Sequence, residues 1–154
     1  MKKSLLVFSI LGWMMSAHAQ SSDTAVVNCV NRLFLAMKEA NDSLILDCFT
    51  ENARLQSITK TPSNPQAHVN TFLPKDFATN VLKRAKGSYD ERISGNELMI
   101  KTDGELTMAW IPYVFYLDGK FSHCGVDLFS MVKMNGVYKI SNLVFNMRNT
   151  DCNQ

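Results

Sequence analysis

The sequence has no C-x-x-C pair and no Cys/His cluster, which argues against thioredoxin-like chemistry and a zinc site. It has no glycine-rich phosphate loop, no nucleophile elbow and no Ser/His/Asp order, so P-loop and serine-hydrolase mechanisms find no residues to carry them. Charge of one sign is scarce too. Sixteen Lys plus Arg stand against 14 Asp plus Glu, a formal net charge of +2, without the basic excess of a nucleic-acid-binding surface. Beyond the N-terminus no stretch approaches the roughly 20 apolar residues of a membrane-spanning helix. Repeats, low-complexity tracts and linkers are missing as well. What is present, 154 residues of which 46% are hydrophobic and 19% charged, fits one globular domain.

The chain opens with Lys2 and Lys3, an apolar run from Leu5 to Met15, and Ala17-His18-Ala19, the order of a secretory signal cleaved after Ala19. Residues 1–19 are therefore expected to be a signal peptide and 20–154 the mature domain, secreted or periplasmic, with no membrane attachment after cleavage. Loss of Lys2 and Lys3 makes the mature chain formally neutral, which argues further against a polyanionic partner. Cys29, Cys48, Cys124 and Cys152 all lie in that part. In an oxidising compartment they can form disulfides, with three connectivities open, or stay as buried free thiols.

Apolar spacings of three and four predict a first helix over 23–40, through Val26, Val27, Val30, Leu33, Phe34 and Met37. Asn41-Asp42 interrupts it before a short second helix, 53–58 reads as a strand, and 59–70, with Pro62 and Pro65, reads as a mobile loop. A third helix is expected from Pro74 or Lys75 to Ala85. Four strands follow, over 89–101, 105–117, 120–134 and 137–148, joined at Asp103-Gly104, Asp118-Gly119 and Asn135-Gly136. Such dipeptides favour two-residue hairpin turns. The order ααβαββββ implies an α+β domain with helices on one face of a curved antiparallel sheet.

Taken as two-residue turns, those dipeptides set a register. One face then carries Trp110 opposite Asp127, Val114 opposite His123, and Tyr116 opposite Phe121, with Arg148 beside His123, Val144 beside Asp127 and Asn146 diagonal to both. The other carries Ile111, Val126 and Phe145, then Ala109, Leu128 and Leu143. A bulge, for which Pro112 and Gly125 offer a natural place, would exchange the two sets locally. Neither face is polar enough to be merely solvated, so a cavity and a homodimer through the sheet are expected.

Ala53-Arg54-Leu55 after the second helix, the run Trp110 to Asp127 across the central hairpin, and Gly136-Val137-Tyr138-Lys139-Ile140 together resemble the nuclear transport factor 2-like superfamily, in particular its polyketide-cyclase-like and lumazine-binding-like bacterial members. The resemblance spans nearly the whole mature chain. It implies a cone-shaped α+β barrel, a pocket between the curved sheet and three helices, and frequent dimerisation. It implies no single activity, because the superfamily holds isomerases, dehydratases, cyclases, transport adaptors and pure binders.

Among chemistry-bearing residues, His123 can exchange a proton near neutral pH from within an aromatic sheet, and Asp127 is a carboxylate in apolar surroundings that needs a partner. These two are the candidate catalytic residues. Trp110, Tyr116, Asn146, Arg148 and Arg54 are the candidate ligand contacts, the arginines favouring an anionic or carbonyl-bearing group. The leading expectation is a small-molecule binder for an apolar or aromatic ligand with a polar end. Competing readings are a cofactor-independent isomerase, cyclase or dehydratase, and a protein-interaction module. No metal or cofactor is implied.

Overall fold

The computed structural model describes residues 15–61, 64–95 and 97–152. The leader expected over 1–19 lies outside these except for the backbone from residue 15, where the first helix begins. Helices α1 (Met15–Lys38), α2 (Asp42–Asp47) and α3 (Pro74–Val81) pack on one face of a curved sheet. Its strands are β1 (Phe49–Thr61), β2 (Asn64–Phe72), β3 (Tyr89–Ile93), β4 (Met99–Asp103), β5 (Leu106–Leu117), β6 (Lys120–Met134) and β7 (Val137–Asn146). Among the described residues no helix is long and apolar enough to cross a membrane.

The α1 stripe forms as its spacing predicts: Val26, Val30, Leu33, Phe34 and Met37 are buried, one side of a 3.6-residue repeat. Ala40 turns the chain with φ of +47°, and Asn41 caps α2 by accepting from the Leu44 amide at 2.9 Å. Pro74 starts α3, where a missing N–H costs nothing. The core lies between these helices and the sheet, with Leu55, Ile111, Phe129, Met131 and Ile140 fully buried. Each such side chain contributes about 1.5–3 kcal/mol by leaving water.

The strands run in the order β2-β1-β7-β6-β5-β3, with β4 sharing the β5 edge with β3; among the described residues only the β1–β7 pair is parallel. Edges remain at β2 and at β3 and β4, so strand pairing does not close the sheet into the expected barrel. The order is ααββαβββββ, two strands more than the sequence reading. Of the stretch read as a loop, 59–61 end β1 and 64–70 lie in β2, the outer arm of a hairpin paired from Leu55↔Phe72 to Thr61↔Asn64. Proline and asparagine there suit an edge strand, which needs only half its backbone groups paired. The strand expected over 89–101 breaks in two around Gly95, whose φ is +72°. Helix α3 stops at Val81, short of Ala85.

The Asp118-Gly119 and Asn135-Gly136 turns form as expected, with positive φ at all four residues. The third turn is displaced by one residue: Asp103 pairs with Leu106, leaving Gly104-Glu105 as the two-residue loop. Cys124 and Cys152 form a disulfide with 5.7 Å between their Cα atoms, which clamps the C-terminal segment against β6. Cys29 and Cys48 are buried free thiols, Cys29 donating to the Tyr138 carbonyl and Cys48 to that of Leu44. Burial pushes the Cys48 thiol up to about 11.

Candidate functional site

Two single-residue irregularities decide what the inner face of the sheet presents. Leu117↔Lys120 and Tyr116↔Phe121 pair as the turn dictates, but the next pair is Phe115↔His123, so Ser122 is an extra residue in β6. On β7 the register steps from Met131↔Ile140 to Ser130↔Asn142, leaving Ser141 extra, its hydroxyl donating to the Ser130 carbonyl at 2.9 Å. The register expected from the turns alone is therefore corrected: His123 lies opposite Phe115 instead of Val114, and Asp127 opposite Ile111 and Phe145 instead of Trp110 and Val144. Ile111, Ala109, Leu143 and Phe145 keep the core face assigned to them, whereas Val126 and Leu128 turn outward. The bulges sit at Ser122 and Ser141, not at the Pro112 and Gly125 pair.

The inner face and the helices enclose a cavity of about 180 Å³. Helix α1 supplies Leu33, Phe34 and Met37, α3 supplies Phe77, and the sheet supplies Tyr89, Tyr113, Phe115, Leu143 and Phe145, with Met147 beyond β7. Its ionisable groups besides the two tyrosines are Glu91, His123 and Asp127. Gly125, between His123 and Asp127 on β6, makes room for the Tyr113 ring that lines this space. A methyl group built there would lie 2.0 Å from the Asn146 carbonyl oxygen and 2.8 Å from the Tyr113 ring. The ring thus lies over bare backbone, and its hydroxyl donates to the Asn146 carbonyl at 2.8 Å.

Asp127 is only 3% exposed, and among the described residues its Oδ2 meets no amide, hydroxyl or guanidinium donor. The group that faces it is the carboxyl of Glu91, buried although the residue as a whole keeps some exposure. Two carboxyls can be joined by a hydrogen bond only if one keeps a proton. Desolvation raises both: Asp127 rises to about 7 despite the lowering effect of the Glu91 hydrogen bond. Glu91 rises well above the carboxylate range through burial, then the Asp127 charge, then the same hydrogen bond. The pair therefore titrates as a unit and holds a proton at neutral pH. Burial also pushes the Tyr113 phenol up, with the two carboxyls adding to it. Burial holds the His123 imidazole below its usual range; the ring stacks on Phe115 at 4.8 Å, and Nδ1 lies 3.0 Å from Ser122 Oγ. A neutral imidazole and a proton-sharing acid pair in an apolar cavity can bind a polar group or move a proton.

Of the residues singled out from sequence, His123 and Asp127 line this cavity together. The other five do not line it. Trp110 is on the outer face, 42% exposed. Tyr116 packs outside against Phe121 and under Arg92. Asn146 accepts the Val126 amide at its side-chain oxygen. Arg148 is exposed and donates to the Asp151 carbonyl, and Arg54 is exposed and donates to the carbonyls of Asn52 and Ala53. His68 is exposed on β2 opposite Thr59. Sequence reasoning missed Glu91, Tyr113 and Phe115. In Tyr89-Asp90-Glu91-Arg92-Ile93, alternation puts Glu91 in phase with Tyr89 and Ile93, and a glutamate at the apolar phase of a strand is the signal that marks it. Among the described residues no group of three His, Cys, Asp or Glu side chains is placed to hold a metal ion.

No family model and no curated protein sequence matches the chain. Solved structures do. An NTF2-like protein of unknown function from Shewanella baltica superposes with a TM-score of 0.63 at 14% identity, covering 85% of this chain and 97% of that one. A protein of unknown function from Mycobacterium tuberculosis gives 0.68 at 12% identity, over 91% and 79%. A nuclear transport factor 2-like superfamily protein from Salmonella enterica gives 0.62 at 12%, over 87% and 96%. At such identities the likeness concerns the fold, which is NTF2-like, and leaves activity to be argued from the site.

Proposed function

We propose that this chain is an exported small-molecule-binding domain whose ligand is apolar or aromatic with one polar end. The observation that carries the reading is the cavity of about 180 Å³ between helices and sheet, apolar on nearly every side, with the Glu91 and Asp127 carboxyls as its one strongly polar spot. Export is supported by the leader-like N-terminus and by the Cys124–Cys152 disulfide, which suits an oxidising compartment. The test is binding of a neutral apolar fluorophore, phenylnaphthylamine, to the mature protein. Saturable binding is expected, weakened about tenfold, or ~1.4 kcal/mol, by Met147→Trp, which fills the cavity from its exposed rim. Absence of binding, or indifference to Met147→Trp, removes the reading.

A second reading, cofactor-independent acid–base catalysis of the isomerase, cyclase or dehydratase type, is favoured by one observation: two carboxyls, Glu91 and Asp127, line the same apolar cavity as the His123 imidazole, with burial raising the acids and lowering the base. On this reading Asp127 takes the proton, Glu91 returns it, and His123 polarises the ligand. Asp127→Asn then abolishes turnover while binding persists.

We also propose a homodimer through the outer sheet face. Met99, Trp110, Leu128 and Val144 form one continuous row across four strands, with Met99 50% exposed. Light scattering after size exclusion is expected to give twice the monomer mass at micromolar concentration and the monomer mass for Trp110→Glu. A monomeric wild type ends the proposal.

A further inference from the structure

We propose that the cavity selects a protonated organic amine, its ammonium seated on the Glu91 and Asp127 carboxyls and its hydrocarbon or aromatic part against Phe77, Tyr89, Phe115 and Phe145. This rests on the binding reading above and narrows it to a ligand class. The first argument is the buried Asp127 carboxyl, to which the described residues bring no donor besides the proton it shares with Glu91. Two carboxyls held so deep on one proton are costly unless something brings further N–H or O–H groups to them. The second is charge. Among the described residues no lysine or arginine lines the cavity. The cation nearest in effect, Arg148, acts weakly on Tyr113 and spends its own guanidinium on the Asp151 carbonyl.

The groups that face the pair are settled on every side. From β5, the Tyr113 phenol keeps its proton and donates it to the Asn146 carbonyl. From β6, His123 is held neutral by burial. Tyr89 lies beside Glu91 on β3, and what α1 and α3 bring is hydrocarbon and phenyl rings. The charge presented to a ligand is therefore that of the acid pair alone. An ammonium brings three N–H donors to the acid pair and a positive charge to rings whose faces attract it. An alcohol of the same shape brings one donor and no charge. A carboxylate meets like charge in a place water does not screen. The arginine-guided expectation of an anionic or carbonyl-bearing ligand reverses, because Arg54 and Arg148 do not line this cavity.

An ammonium displaces the proton it finds on the pair, so amine binding and proton loss are linked. With Asp127 near 7, amine affinity rises from roughly pH 6 to 8 while that of a neutral ligand stays level.

Phenylbutylamine, phenylbutanol and phenylbutyrate share one hydrocarbon frame and differ only at the end group. Titration calorimetry of the mature protein with each, at pH 6 and 8 and in two buffers of different ionisation enthalpy, decides the matter. The amine is expected to bind at least about tenfold more tightly than the alcohol at pH 8, the gain of charge-assisted over neutral hydrogen bonds. It should release protons on binding, lose the preference at pH 6, and fall to the level of the alcohol in Glu91→Gln/Asp127→Asn. If alcohol and amine bind equally at pH 8, or the carboxylate binds best, the amine assignment is overturned and the binding pocket stands. If none of the three binds, the binding reading falls and this inference with it. The wild-type ranking alone suffices should the double variant fail to fold.

Discussion

Between pH 4 and pH 8 the wild type is expected to lose about 4 kcal/mol of stability relative to Glu91→Gln/Asp127→Asn, counting Asp127 alone over three pKa units at 1.36 kcal/mol each. The sign follows from proton counting. A carboxyl whose folded pKa is raised binds more protons in the native state than in the unfolded chain, so stability falls as pH rises from the unfolded value near 4 to the folded one near 7. Glu91, also raised, adds to the fall in the same direction. Other groups oppose it. His123, held down by burial, contributes stability that grows as pH rises toward its unfolded value, and Asp47 and Asp90, lowered by their Lys and Arg partners, contribute stability lost only in stronger acid. Those contributions are common to both proteins and cancel in the comparison. Urea denaturation at four pH values measures the difference; parallel stability curves would show that no proton is shared in the cavity.

Gly125→Ala is expected to cost more than about 4 kcal/mol, beyond the range of ordinary overpacking, and to lower Tm by more than about 10 °C. The added methyl meets a backbone oxygen at 2.0 Å, and that oxygen, on Asn146, already accepts the Tyr113 hydroxyl. Neither neighbour has room to retreat. The Asn146 side chain holds the Val126 amide at 2.8 Å, and the Tyr113 ring is only 2% exposed. Relief requires β6 and β7 to part where Asp127 enters the cavity, so the damage reaches the site as well as the fold. Thermal unfolding within about 2 °C of wild type would mean that the Tyr113 ring does not lie over bare backbone.

The elements legible in the sequence are those whose local chemistry is demanding. Asp118-Gly119 and Asn135-Gly136 require positive φ at both positions, and few other pairs supply it. The α1 stripe repeats over enough turns to exclude a strand. The bulges are not legible, since an extra residue in a strand asks for no particular side chain; Ser122 between Phe121 and His123, and Ser141 between Ile140 and Asn142, look like ordinary strand residues. Their effect was large nonetheless: the bulge at Ser122 put β6 out of phase by one position and exchanged its faces from His123 onward, and the one at Ser141 brought β7 back into phase with β5, so that Leu143 and Phe145 stay on the core side. His123 and Asp127 are marked by their chemistry whichever way they point, whereas Trp110, Tyr116 and Asn146 are marked by the turn-derived faces and follow the wrong phase; Arg148 and Arg54 are marked by charge alone, which carries no direction. The Cys124–Cys152 pairing spans 28 residues and depends on how β7 brings the terminus back beside β6, which no spacing rule contains.

Ser122 also separates two kinds of genetic change that are commonly treated alike. Substituting it alters one hydroxyl contact with the His123 ring. Deleting it joins Phe121 to His123, which already occupy opposite faces of the sheet through Tyr116 and Phe115, so regular alternation replaces the bulge and Asp127 keeps its inward direction. Loss of a residue between His123 and Asp127 has the contrary result, because it puts those two side chains on opposite faces. The bulge is thus a spare position, where codon loss should be far better tolerated than three residues further along the same strand.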